Sequence, residues 1–225
     1  GRTGWAGGSA AAVGAVAEAA IASAAAGQAA TLFMPASAPT PSVVTKSPAA
    51  AGLDAPALIE LAGRLKSLLS RAGWIVDTWA ECSLGTVEVA NTRGVHIAYD
   101  QSLVGLGADV RLGSGGPAWR TSAAAAAPPG EAELARLVSL AMTRAAPPVL
   151  DLGEGRDRTT VWFTPAASRA LLTPVLARLL GERWLASRDT WPVLDSRLTI
   201  SDDPLAPGRP GSRPVCDDGV PSRRL

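Results

Sequence analysis

The sequence has very little histidine: among 225 residues, His96 is the only one. A hydrolytic zinc site usually takes two or three imidazoles with a carboxylate or cysteine, so most sites of this kind are excluded. His96 is also the single candidate for the base of a serine–histidine or cysteine–histidine pair. It falls in a strand-like segment beside a turn, which favours a half-exposed strand position over a catalytic base.

Cysteine and net charge are low as well. The two cysteines, Cys82 and Cys216, do not form a disulfide framework, and we expect both to be reduced in a cytosol. Cys82 has no basic neighbour in sequence that would favour a thiolate, so we expect it to be a small buried residue. A formal net charge of +1 leaves no electrostatic footprint for nucleic acid or an acidic membrane.

A long run of strongly apolar residues is also missing. The alanine-rich stretch 10–31 comes nearest, but alanine gains little on transfer into lipid, and Glu18 interrupts the stretch. No basic region precedes it, which argues against a signal peptide. We predict a helix of a soluble protein, with Ser9 as its N-cap and Gly27 at its end.

What the chain does contain is a substantial apolar fraction, 47% of residues, in two kinds of pattern. Residues 53–73 and 131–145 have helical spacing of leucine, and Asp54 is a good N-cap for the first of these helices. Residues 74–112 alternate apolar and polar side chains, which predicts three or four antiparallel strands.

Turn residues separate these elements. The sequence ANTRG (90–94) fits a hairpin loop in which Asn91 and Gly94 tolerate positive φ. We predict further loops at 113–119 and 123–130. The remaining predicted elements are a strand at 159–163, a helix at 165–180, a strand at 197–203 and a turn-rich tail.

The predicted fold class is α+β, with an antiparallel sheet flanked by amphipathic helices and followed by the start of a second α+β or β-rich domain. We assign an alanine-rich helix and a Pro/Ser-rich linker to residues 1–52, and a helix–sheet–helix domain to residues 53–150. Residues 151–225 would begin a further, truncated domain, so the sequence is interpreted as a fragment of a longer protein.

Charged groups in the tail have simple interpretations. The acidic pairs at 202–203 and 217–218 stand beside Pro or Gly, where Asp commonly caps a turn, and their spacing does not suit a hard cation. Arg223 and Arg224 could meet a substrate carboxylate, although a solvated turn is the simpler interpretation. The residues alone therefore indicate an α+β protein without a self-contained catalytic constellation.

Two stretches together resemble the TldD/PmbA family, in which PmbA is also called TldE. VEVANTRGVHIAYDQSLVGLGADV (87–110) is similar to the family's strand–AN-x-x-G–strand hairpin. TTVWFTPAASRALLTPVLARLLGE (159–182) resembles the family's apolar strand and the helix after it. The turn DDPLAPGRPGS (202–212) and the closing DDGVPSRR (217–224) follow in the family's order, and the last is the most specific piece.

The resemblance implies a two-subunit peptidase of the cytosol. In the TldD-type subunit this helix carries H-E-x-x-x-H, whose imidazoles bind zinc while the Glu is the general base on the bound water. The PmbA/TldE-type partner lacks these ligands but forms part of the chamber that admits unfolded peptide. In this chain Thr173 and Arg178 stand at the histidine positions and Pro174 at the glutamate position, so the resemblance implies a vacated metal site.

The resulting hypothesis is a catalytically silent, PmbA/TldE-like subunit of a zinc metallopeptidase complex that acts on unfolded or leader peptides. We expect no catalytic, cofactor or metal residue in this chain, zinc in a TldD-like partner, and no contact with nucleic acid or membrane. Residues proposed to contact peptide are His96, Tyr99, Arg223 and Arg224.

Two alternatives stay open. One is a homodimeric regulatory or binding protein without a protease partner, in line with the family's older label, modulator of DNA gyrase. The other is a metallopeptidase whose ligands lie outside these residues. The simplest account of Thr173 and Pro174 is structural, because Thr can cap a helix and Pro suits its first turn.

Overall fold

The computed structural model describes residues 4–27, 34–145, 163–178 and 197–224. The chain divides into two compact units, one formed by Gly1–Ala145 with Asp202–Leu225 and the other by Ala146–Ser201. The domain limits drawn from the sequence stay a prediction.

The centre of the first unit is an antiparallel sheet in the order β1-β2-β3. Its strands are β1 (Trp74–Ala90), β2 (His96–Leu112) and β3 (Ala118–Ala125). The long hairpin β1–β2 is paired without a break from Trp74↔Leu112 to Ala90↔His96. β3 pairs with the second half of β2, from Val104↔Ala125 to Arg111↔Ala118. The α+β fold class and the antiparallel sheet are therefore confirmed.

Helices cover one face of this sheet. They are α2 (Pro48–Ala51), α3 (Ala55–Leu69) and α4 (Glu131–Ala145). A further helix, α1 (Val13–Ala24), follows a 3₁₀ turn at Ala10–Ala12. The Asp54 carboxylate accepts a hydrogen bond from the Ala57 amide at 2.9 Å and starts α3 as predicted. Ser9 likewise accepts from the Ala11 amide at 3.3 Å, ahead of α1.

The core lies between α3, α4 and the sheet. Leu65 and Leu69 of α3 and Leu137 of α4 are completely buried, as is Leu106 of β2. In β2 every second residue from Val104 to Val110 points to this face, which is why the period of two in the sequence predicts the sheet correctly. None of these core residues lies on the opposite face of the sheet, here called the open face, which carries Trp79 and Tyr99.

Four local predictions are wrong. Residues 74–112, predicted to form three or four strands, form the two long strands β1 and β2. Residues 118–119 and 123–125, predicted to lie in loops, belong to β3, because this segment pairs with β2. Residues 197–203, predicted as a strand, are irregular. In the hairpin turn Gly94 has φ +88°, but Asn91 does not adopt positive φ. Its side-chain oxygen instead accepts from the amides of Arg93 and Val95, at 2.9 and 3.2 Å.

Two segments distant in sequence pack against the hairpin. Residues 44–47 run beside β2, where the Ser102 amide donates to the Thr45 carbonyl at 3.0 Å. The tail 202–224 reaches the hairpin turn, where Gly219 lies against the buried Val95 side chain. The tail thus shares a compact unit with the sheet. No helix in the described parts of the chain is both long and apolar enough to cross a membrane.

Candidate functional site

The helix of the second unit, α5 (Pro165–Arg178), contains the three positions of interest. Thr164 precedes it and accepts a hydrogen bond from the Ala167 amide at 3.3 Å, while Pro165 occupies the first helical position, where a missing N–H costs nothing. The predicted helix 165–180 is therefore present to residue 178, and its last two residues lie outside the described ranges. Of the predicted strand 159–163 only Phe163 is described, and it is not in a strand.

Thr173 and Pro174 lie inside α5 and not at its start. The structural account of them as cap and first-turn proline is therefore wrong. The Thr173 hydroxyl donates to the Arg169 carbonyl at 2.8 Å, one helical turn back. Pro174 has no amide hydrogen to continue the helical ladder. Arg178 is the last residue of the helix.

These residues do not fit a zinc ion. A threonine hydroxyl that is hydrogen-bonded to its own helix is no substitute for an imidazole, and proline offers no group that could accept a proton. Arginine keeps its positive charge and repels a cation. Across the four described ranges, no three His, Cys, Asp or Glu residues come together in a way that could hold a metal.

A second candidate region is a cleft of about 450 Å³ in the first unit, between the hairpin and the tail. Its walls include Val87, Tyr99 and Gln101 from the sheet and Pro204, Arg213 and Asp217 from the tail. An Arg213 guanidinium nitrogen lies 3.4 Å from the Asp217 carboxylate, a loose pair in which Asp217 is fully exposed. The cleft therefore contains an aromatic ring, a side-chain amide, a guanidinium group and a carboxylate.

The four residues predicted to contact peptide do not meet at one place. Tyr99 lines the cleft, but His96 stands three positions earlier on β2 and points to the opposite face of the sheet. The His96 ring is exposed, as expected, and its Nε2 lies 2.5 Å from the Glu88 carboxylate. Arg224 pairs with Asp203 at 3.6 Å, and Arg223 is exposed.

One aspartate of each acidic pair in the tail caps a turn, as the sequence predicts. Asp203 accepts from the Leu205 amide and Asp218 from the Val220 amide, each at 3.2 Å. Cys82 and Cys216 are free thiols. Cys82 is half-buried and not fully buried as predicted. Its Sγ donates to the Ala50 carbonyl at 3.6 Å, in α2.

Sequence reasoning missed Arg213, Gln101 and Pro204 as walls of the cleft. The only available signal was that Tyr99 and Gln101 share a face of β2 by strand alternation. Nothing local in the sequence indicates that the tail folds onto this face.

The hydroxyl of Tyr99 gives a direct measurement on the cleft. Burial raises the pKa of Tyr99 above its ordinary value, and the nearby Arg213 partly opposes this rise. Because Tyr99 is the only tyrosine, the ultraviolet absorbance of phenolate reports on it alone. We expect a titration midpoint above that of a free tyrosine amide, about 10. The pKa of Tyr99 is higher in the folded than in the unfolded chain. The contribution of Tyr99 to folding stability is therefore fully present below the unfolded pKa and is lost as pH rises through the folded pKa.

Arg213→Ala should raise this midpoint further, since it removes the charge that favours phenolate. Arg120→Ala, on β3 and outside the cleft, is the matched control and should leave it unchanged. A wild-type midpoint at or below that of the free amide would mean that the tail does not cover Tyr99.

Known proteins resemble this chain in fold and in one domain. A solved structure from Bacteroides thetaiotaomicron, described as a candidate modulator of DNA gyrase, superimposes with a TM-score of 0.63 at 16% identity. The match covers 84% of this chain and 46% of that one, so this chain spans less than half of the other's length, and the likeness shows the fold alone. None of the curated proteins matches the sequence.

Residues 156–225 match the PmbA/TldA metallopeptidase C-terminal domain. This C-terminal part of the chain is therefore similar to the PmbA/TldD family. The matched range contains α5 and the whole tail. The helix with Thr173, Pro174 and Arg178 therefore lies within the residues that match a metallopeptidase C-terminal domain. The match supports the resemblance to this family that the helix and DDGVPSRR indicate, and the hairpin lies outside the matched residues.

Proposed function

We propose that this chain is a PmbA/TldE-like, catalytically silent subunit of a zinc metallopeptidase complex. The single observation that carries the proposal is the set Thr173, Pro174 and Arg178 on α5, within the metallopeptidase-type domain. By the resemblance, these positions correspond to the two histidines and the glutamate of H-E-x-x-x-H. The side chains present supply neither a zinc ligand nor a general base.

The remaining parts of the proposal follow from the lack of a zinc ligand and a general base on α5. Zinc and the water-activating glutamate would be supplied by a TldD-like partner, and this chain would help to hold unfolded or leader peptide beside that centre. The near-neutral net charge of +1 supports a role without nucleic acid. We place the complex in the cytoplasm, consistent with the two free thiols.

Zinc content and peptidase activity, measured on this chain alone, on the TldD-like protein of the same organism and on their mixture, test the proposal. We expect no stoichiometric zinc and no cleavage with this chain alone. In the mixture we expect cleavage of an unfolded peptide, with zinc that co-purifies with the partner. In the control, the glutamate of the partner's H-E-x-x-x-H is replaced by glutamine, which should abolish cleavage while the zinc remains.

Two results would contradict the proposal, each in favour of one alternative. Stoichiometric zinc and cleavage by this chain alone would indicate a metallopeptidase whose ligands lie outside the residues described. A homodimer that does not bind the TldD-like protein would indicate the regulatory or binding protein instead.

A further inference from the structure

Within the described parts of the chain, strand β1 has one unpaired main-chain edge. It extends over 17 residues and has a strand partner on one side only, since the described residues form the sheet β1-β2-β3. Every second peptide group of such an edge strand points its N–H and C=O away from the sheet, where another strand can pair with it. Natural edges of this length are usually protected by lysine, proline or a bulge. β1 contains neither lysine nor proline, and its register with β2 has no bulge.

The charges along β1 are all of one sign. Its charged residues are Asp77, Glu81 and Glu88, and it has no lysine or arginine. Glu88 is engaged by His96 on the helix-covered face. Asp77 and Glu81 are exposed on the open face, and Trp79 lies between them. We name Asp77, Trp79 and Glu81 the acidic stripe.

The positive groups of the open face lie inward of this stripe. The Arg120 guanidinium, on β3, is held by both carboxylate oxygens of Asp109 at 2.8 and 2.9 Å. Arg111 is on β2, opposite Ile75. A strand added outside β1 would lie beside the acidic stripe, and its alternate side chains would lie on the same face as that stripe. Arg111 and Arg120 line the same hollow as Asp77 but lie one and two strands further in.

We propose that β1 binds an extended peptide by strand addition, and that the peptide carries lysine or arginine at alternate positions. The proposal rests on the peptide-holding role proposed above and specifies the class of peptide. Main-chain pairing supplies affinity, and the acidic stripe with the indole of Trp79 selects basic side chains. A second copy of β1 is the less suitable occupant, because its edge brings only further carboxylates to the seam.

Fluorescence anisotropy of a labelled peptide of alternating lysine and threonine, added to this chain alone, tests the charge part. We expect binding that weakens with salt, and weaker binding of the glutamate–threonine counterpart. Asp77→Lys with Glu81→Lys should weaken binding of the lysine peptide about tenfold and strengthen that of the glutamate peptide. Glu18→Lys with Glu60→Lys changes the net charge equally on exposed sites of α1 and α3, and should have no such effect.

N-methylation of the lysine peptide tests the main-chain part with unmodified protein. Methyl groups on one alternate set of amides should abolish binding, and on the other set should be tolerated, because only one set faces β1. Equal binding of both methylated peptides, or a dimer in sedimentation that excludes the peptide, would overturn the proposal. Since neither zinc nor the TldD-like partner is present, such a failure would leave the subunit proposal to its own test.

Discussion

Ser102→Ala is expected to lower the free energy of unfolding by about 2–4 kcal/mol, because it leaves the buried Ala126 carbonyl and the half-buried Ser47 amide without their partner. The Ser102 hydroxyl donates to the Ala126 carbonyl at 2.7 Å and accepts from the Ser47 amide at 2.9 Å. The residue is only 3% exposed, so water cannot readily replace either bond.

The position of Ser102 makes this loss larger than that of an ordinary strand serine. It connects β2 with the end of β3 and with residues 44–47. The tail packs against the same region through two main-chain hydrogen bonds. The Ala126 amide donates to the Gly208 carbonyl at 2.9 Å, and the Gly208 amide donates to the Val44 carbonyl at 2.8 Å. Ser102 thus stabilises the junction of three chain segments.

Urea denaturation of the whole chain measures the effect, as a lower midpoint at an unchanged m value. Ser122→Ala is the matched control, because Ser122 is exposed on β3, and its replacement should change stability by less than about 0.5 kcal/mol. If Ser102→Ala cost no more than this control, Ser102 would not hold the junction together.

The sequence predicts the elements whose pattern is local. The spacing of leucine over Ala55–Leu69 and the cap at Asp54 define α3, and alternation defines the long hairpin. Local pattern does not predict β3, because half of its residues are alanine, which has little strand propensity of its own. It is a strand because its amides pair with β2 and because the inward side chains Trp119 and Thr121 pack toward the core, which no local pattern reveals.

The candidate site also combines features that local sequence pattern predicts with features that depend on contacts between distant segments. The alternation rule alone already separates His96 from Tyr99, since residues three apart on a strand point to opposite faces. By contrast, the contact between Tyr99 and the tail joins segments far apart in sequence and depends on how the tail folds back. The significance of Thr173, Pro174 and Arg178 comes from the family resemblance, because a threonine, a proline and an arginine carry no motif of their own.

Gly107→Ala is expected to destabilise the chain by about 1–3 kcal/mol, through a clash with Trp79. The indole of Trp79 lies flat over β2, so a Cβ at Gly107 would stand 2.6 Å from its Cε2 and Cζ2 atoms and 2.8 Å from Nε1. Gly107 does not have positive φ, so its backbone would otherwise accept alanine. The two residues are directly paired across β1 and β2.

A double-mutant cycle separates this clash from any general weakness of alanine in the strand. In a Trp79→Ala background the ring is gone, so Gly107→Ala should cost little, and the two substitutions should be strongly coupled. An equal cost in both backgrounds would exclude the indole as the cause. Because Trp79 lies within the acidic stripe, the displaced ring of Gly107→Ala should also weaken binding of the lysine peptide. Gly105 and Gly107 of β2 thus leave the space that the Trp79 indole of β1 occupies.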